Sequence, residues 1–77
     1  MACITPEGKL TRAAVDIMRS LTAGPSSPED VSARISLPLF RVRSALRELA
    51  DADYVELEGF HDYKLTLAGK AKLENPS

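Results

Sequence analysis

The segment Leu37–Val55 reads LPLFRVRSALRELADADYV. Leu39, Val42, Leu46 and Leu49 recur in it at steps of three and four, which aligns them along one face of a helix over 38–52. At about 100° per residue, Phe40, Ser44, Arg47 and Asp51 fall on the opposite face, with Arg41 and Arg43 on its flanks. A single amphipathic helix cannot bury its own apolar stripe, so the segment needs partners elsewhere in the chain.

Upstream, two shorter helical patterns supply them. Thr5-Pro6-Glu7 has the make-up of a helix start: a capping hydroxyl, a proline with no N–H to lose, and a carboxylate that complements the helix dipole. Leu10, Ala13, Ala14, Ile17 and Leu21 form the apolar face that follows, with Met18 beside it. Gly8 weakens the first turn, which moves the expected start of the regular helix toward Leu10, and Gly24-Pro25 ends it after Ala23. Ser27, Pro28 and Asp30 repeat the cap, the first-position proline and the carboxylate that reaches back. They open a second helix with Val31 and Ile35 on its apolar edge. Ser36-Leu37-Pro38 breaks that helix, because proline disfavours helical geometry at the preceding residue.

Downstream the period falls to two. Val55 and Leu57 alternate with Glu56 and Glu58, and Tyr63, Leu65 and Leu67 alternate with Lys64 and Thr66. These are two strands of a hairpin around Gly59-Phe60-His61-Asp62. Thr66 is placed to cap a last short helix over 67–73, which Asn75-Pro76 closes. The expected core is Leu10, Ala14, Ile17, Leu21, Val31, Ile35, Val42, Leu46, Leu49, Val55, Leu57 and Leu65.

Seventy-seven residues with 44% apolar side chains suit one domain with a small core that needs no metal or disulfide staple. Cys3 is the one cysteine, so no intramolecular disulfide forms, and with no Cys or His neighbour it implies no metal site. Met1–Leu10 carries Glu7 and Lys9 and no apolar core segment. No signal peptide or membrane span is therefore expected, and a reducing cytoplasm is the expected location. A net charge of −1 and a pI of about 5.7 lack the excess of Lys and Arg that marks most compact nucleic-acid binders. The distribution is uneven, however. Residues 1–50 hold seven basic and five acidic side chains, and then Asp51, Asp53, Glu56, Glu58 and Asp62 follow with no Lys or Arg among them. One histidine, one cysteine, no Gly-rich phosphate loop and no paired carboxylates leave no nucleophile or base to assign. No catalytic, cofactor or metal residues are expected, and no enzyme.

Ile17 and Leu21, then SPEDVSARISLPLFRVRSALRELADADYV, then YKLTLAGKAKL resemble the winged helix-turn-helix DNA-binding domains of MarR-like and ArsR-like prokaryotic transcriptional regulators. Tyr63-Lys64-Leu65-Thr66, followed by Gly69 and Leu73, matches their exit pattern Y-x-L-T-x-x-G-x-x-x-L. The resemblance covers Thr5 to Leu73. It implies an α+β, mainly α, winged helix-turn-helix fold: a three-helix bundle, a β-hairpin wing and a short C-terminal helix in a single domain, 1–77. It also implies a small regulator of transcription that binds double-stranded DNA as a homodimer or with a protein partner, using helix 38–52 for recognition. Carried over by position, Pro38, Leu39, Phe40, Arg41, Ser44 and Ala45 meet the major groove, Arg43 and Arg47 lie near phosphates, and Lys64 extends the positive stripe. Two departures stand out: Leu39 and Phe40 occupy places where the family has small polar residues, and the wing carries Glu56, Glu58 and Asp62 where the family has Arg or Lys. They point to the alternative, a winged-helix protein–protein interaction module that uses Leu39, Phe40 and the wing.

Several side chains have more than one reading. Arg41, Arg43 and Arg47 can grip phosphates, or they can line a solvated face on which Arg47 pairs with Asp51. Phe40 can stack on a partner, touch a thymine methyl, or pack against Val31 and Ile35. Phe60 can project from the hairpin tip or fold back on Tyr63, and His61 beside it can sense pH or serve only as a polar loop residue. The acidic run 51–62 lacks the dense ligand spacing of a calcium loop and reads as a solvated edge.

Overall fold

Three hydroxyl side chains set where helices begin in the computed structural model, which describes residue 4 and residues 8–75. Thr11 accepts from the Ala14 N–H at the start of α1 (Arg12–Ser20), Ser27 from the Asp30 N–H at α2 (Pro28–Ile35), and Thr66 from the Gly69 N–H at α4 (Leu67–Glu74). Each satisfies an N–H that has no acceptor inside its helix. Between them lie α3 (Leu39–Asp51) and an antiparallel hairpin of β1 (Val55–Glu58) and β2 (Asp62–Leu65). The described chain is thus α+β and mainly helical, with four helices and one two-stranded sheet. No described helix is long and apolar enough to cross a membrane.

The first helix differs from expectation at both ends. Thr5-Pro6-Glu7 lies outside the described residues. Gly8 adopts φ +84°, and Leu10 forms an extended bridge with Ile4 instead of a helical turn. Thr11 is the next hydroxyl able to cap, so the helix waits for it. At the far end, the last helical residue is Ser20 rather than Ala23. The chain turns through 21–23, with Gly24 at φ +141°.

The connection between α2 and α3 is tight because three residues cooperate. Ser36 takes a left-handed conformation at φ 58°, the Ser32 hydroxyl donates to the Leu37 carbonyl, and the Leu37 N–H returns to the Ser32 carbonyl. The Pro38 carbonyl then accepts from the Arg41 and Val42 N–H groups, which starts α3 without a side-chain cap. At the other end of α3, Asp53 at φ 70° completes a left-handed stop: Tyr54 N–H donates to Leu49 O and Asp53 N–H to Ala50 O.

The core gathers Ala14, Ile17, Met18, Leu21, Val31, Val42, Ala45, Leu46, Leu49, Val55 and Leu65. Leu10 and Ile35 pack against it while only partly buried. Met18 and Ala45 are the additions, since a stripe one residue wider than the strict seam is what a globular helix buries. Leu57 is the correction. It pairs with Tyr63 a pleat beyond Val55, facing an open cleft beside α2 and α3 rather than the core, and is 54% exposed.

Two tertiary ties had no periodic signature. Ser26 and Tyr63 exchange both backbone hydrogen bonds (3.1 and 2.8 Å), so a third extended segment flanks the hairpin. Arg34 reaches the Ser20 carbonyl at 2.8 Å and joins the C-terminal ends of α1 and α2.

Candidate functional site

The angular order of α3 decides which side chains reach solvent. Val42, Ala45, Leu46 and Leu49 turn into the core, which leaves Phe40, Arg41, Arg43, Ser44 and Arg47 exposed, with Leu39 half-buried and Pro38 exposed ahead of them. Ala45, expected to face a groove, is only 4% exposed, because it falls on the same stripe as Val42 and Leu49. Phe40 does not pack onto Val31 and Ile35. It stands 73% exposed.

Leu39, Phe40, Arg43, Ser44 and Arg47 border one shallow hollow along the outer side of α3. Arg43 and Arg47 also line a cleft of about 250 Å³ between α3, the N-terminus of α2 and the hairpin. Leu57, Phe60, His61 and Tyr63 form its hairpin wall. The two hollows share the two arginines, so the surface runs unbroken from Phe40 to the hairpin tip.

Charge within this surface is partly neutralised. Arg43 Nη2 lies 3.0 Å from Glu29 Oε2, with both side chains more than half exposed. A hydrogen bond from its own backbone N–H, and next the one from Arg43, hold the Glu29 carboxyl below its ordinary value. Arg41 and Arg47 take part in no ion pair among the described residues, so the expected Arg47–Asp51 pair does not form. Glu29 is a functional neighbour that sequence spacing gave no way to find, since fourteen positions separate it from Arg43.

Two of the expected residues are directed elsewhere. Strand alternation puts Lys64 on the other side of the hairpin from Leu57 and Tyr63, where it reaches Glu58 at 3.1 Å and Glu56 at 3.4 Å. Those two hydrogen bonds raise the Lys64 pKa. Arg41 borders a separate groove of about 220 Å³ with Ala13, Ile17 and Leu37, behind the ridge of Phe40 and Ser44. Phe60 is 92% exposed and does not fold onto Tyr63, whose cross-strand partner is Leu57; its ring neighbour is His61, at a centroid distance of 6.5 Å.

Among the described residues no three His, Cys, Asp or Glu side chains are grouped to hold a metal ion. No family model matches the chain, and neither does any curated protein or solved structure.

Proposed function

We propose that the protein is a small winged-helix DNA-binding protein that regulates transcription, with α3 as its recognition helix and the hairpin as its wing. The observation that carries this reading is the unbroken exposed surface along Phe40, Arg43, Ser44 and Arg47, which continues into the hairpin cleft. A helix of thirteen residues is about 20 Å long, and a major groove about 12 Å wide admits it. The tight turn that launches α3 and the Ser26 bridge beside the hairpin support the same architecture.

Arg47 is the residue that grips a phosphate, since it takes part in no ion pair among the described residues. Arg43 joins it only by leaving Glu29. Affinity is therefore weak, and so few phosphate contacts give it only a shallow dependence on salt. Fluorescence anisotropy with a mixed-sequence duplex at low and then moderate salt tests the reading. Arg47→Glu should abolish binding, and Glu29→Gln should strengthen it by releasing Arg43 and removing a negative charge. Absence of wild-type binding even at low salt would sink the proposal.

One observation favours a second reading, a protein-interaction module: Phe40 projects beside the apolar groove of Ala13, Ile17 and Leu37. Exposed aromatic anchors carry interface energy in such modules, whereas rim charges mainly set rates. In that case Phe40→Ala should weaken partner binding more than Arg47→Glu does.

A further inference from the structure

We infer that Phe60, at the tip of the hairpin, is an apolar wedge that enters between base pairs of the bound duplex and kinks it. The inference rests on the duplex-binding reading above and adds to it the contact that the hairpin makes.

Four observations converge on this residue. Phe60 is 92% exposed, and its ring has His61 as neighbour rather than any core side chain, so the fold does not need it. The tip is presented by a braced support: Val55 and Leu65 are buried at the root of the hairpin, and Tyr63 is bonded twice to Ser26. Phe60 also lines the same cleft as Arg43 and Arg47, so a duplex held by those arginines has the phenyl ring against it.

The fourth observation is charge. Residues 55–62 carry Glu56, Glu58 and Asp62 and no Lys or Arg, and Lys64 is occupied by Glu56 and Glu58 on the far side. Such a hairpin cannot follow a phosphate backbone by attraction. What it offers DNA is an apolar tip, and an apolar wedge partially unstacks a base step and bends the helix away from the insertion. Flexible pyrimidine–purine steps are where this costs least.

The test uses the full chain and a duplex with a TA step at its centre, labelled with a donor and an acceptor dye at its two ends. Energy transfer reads the bend and anisotropy reads the binding. Wild-type protein should raise the transfer efficiency as it binds. Phe60→Ala should bind roughly tenfold more weakly and leave the duplex straight at saturation, whereas Phe60→Leu, which keeps an apolar wedge, should retain most of the bend. Unchanged melting of Phe60→Ala would confirm that the fold is intact. Wild-type binding without any bend, or a Phe60→Ala variant that bends the duplex as well as the wild type, would overturn the wedge and leave the duplex-binding reading standing. If wild-type protein binds no duplex, both fall together, and Phe60 passes to the protein-interaction reading.

Discussion

Neither phenylalanine of this chain enters the core. A buried phenylalanine stabilises a domain by about 1.5–3 kcal/mol relative to an exposed one. Placing Phe40 and Phe60 outside forgoes that gain at both positions, in a domain small enough to need it. Both flank the arginine surface, which is where a binding role would put them. The ion pairs around that surface also make predictions about pH. The Glu29 carboxyl lies below its ordinary value of 4.5, so its contribution to stability is present above that pH and is lost as pH falls through the lowered native value. Lys64 lies above its ordinary 10.5, so its contribution is complete below 10.5 and is lost as pH rises through the raised native value. Glu29→Gln should therefore flatten the acid limb of a plot of Tm against pH and leave the alkaline limb alone. Lys64→Met should do the reverse. Both effects should be small, because the five side chains involved are exposed enough for water to screen them.

At the scale of elements, α3 is the piece on which the others converge, and Leu46 sits fully buried on its inner face. Leu46→Ala should cost about 2–5 kcal/mol, most of what a domain this size has to spare. A melting temperature that barely moved would show that the buried face was wrongly assigned. The last helix depends on a different kind of contact. A Cβ on Gly69 would clash with the Tyr54 carbonyl oxygen, a backbone atom that cannot rotate away. Thr66 fixes that close approach, since its hydroxyl donates to the Asp53 carbonyl while it accepts from the Gly69 N–H. Gly69→Ala should thus lift α4 off the end of α3 and destabilise the fold by about 1–3 kcal/mol, with loss of amide protection in 67–74 seen by hydrogen exchange.

For the whole molecule, size and charge limit what one copy can do. One copy offers a single α3, so in the proposed complex it reads one half-site, and a second half-site roughly 34 Å away calls for a second copy. If the proposed duplex binding holds, Arg47 and, once released from Glu29, Arg43 are its phosphate contacts, which predicts a slope of about −1 to −2 in log affinity against log salt. A slope near twice that, together with two protomers per duplex in sedimentation, would mark a dimer on DNA. A steep slope from a strict monomer would contradict the geometry of the site.

The sequence by itself determined the order of helices and hairpin, the starts of α2 and α4 and the inner face of α3, because each is written in local terms: periods of three to four or two, caps at Ser27 and Thr66, and the break at Leu37-Pro38. It also marked Phe40, Arg43, Ser44 and Arg47 as outward-facing, since helical angle alone places them. Only the tertiary structure decided what those side chains meet. Glu29 reaches Arg43 because the turn through Ser36 folds α2 back beside α3. Lys64 is lost to the surface of α3 because pleating aims it at Glu56 and Glu58. Leu57 stays out of the core because it faces the open cleft that α2 and α3 leave beside the hairpin, and Ser26 becomes a strand partner only once Tyr63 arrives alongside it. Periodicity fixes the direction in which a side chain leaves its own element, whereas the neighbour it finds there depends on how distant segments pack.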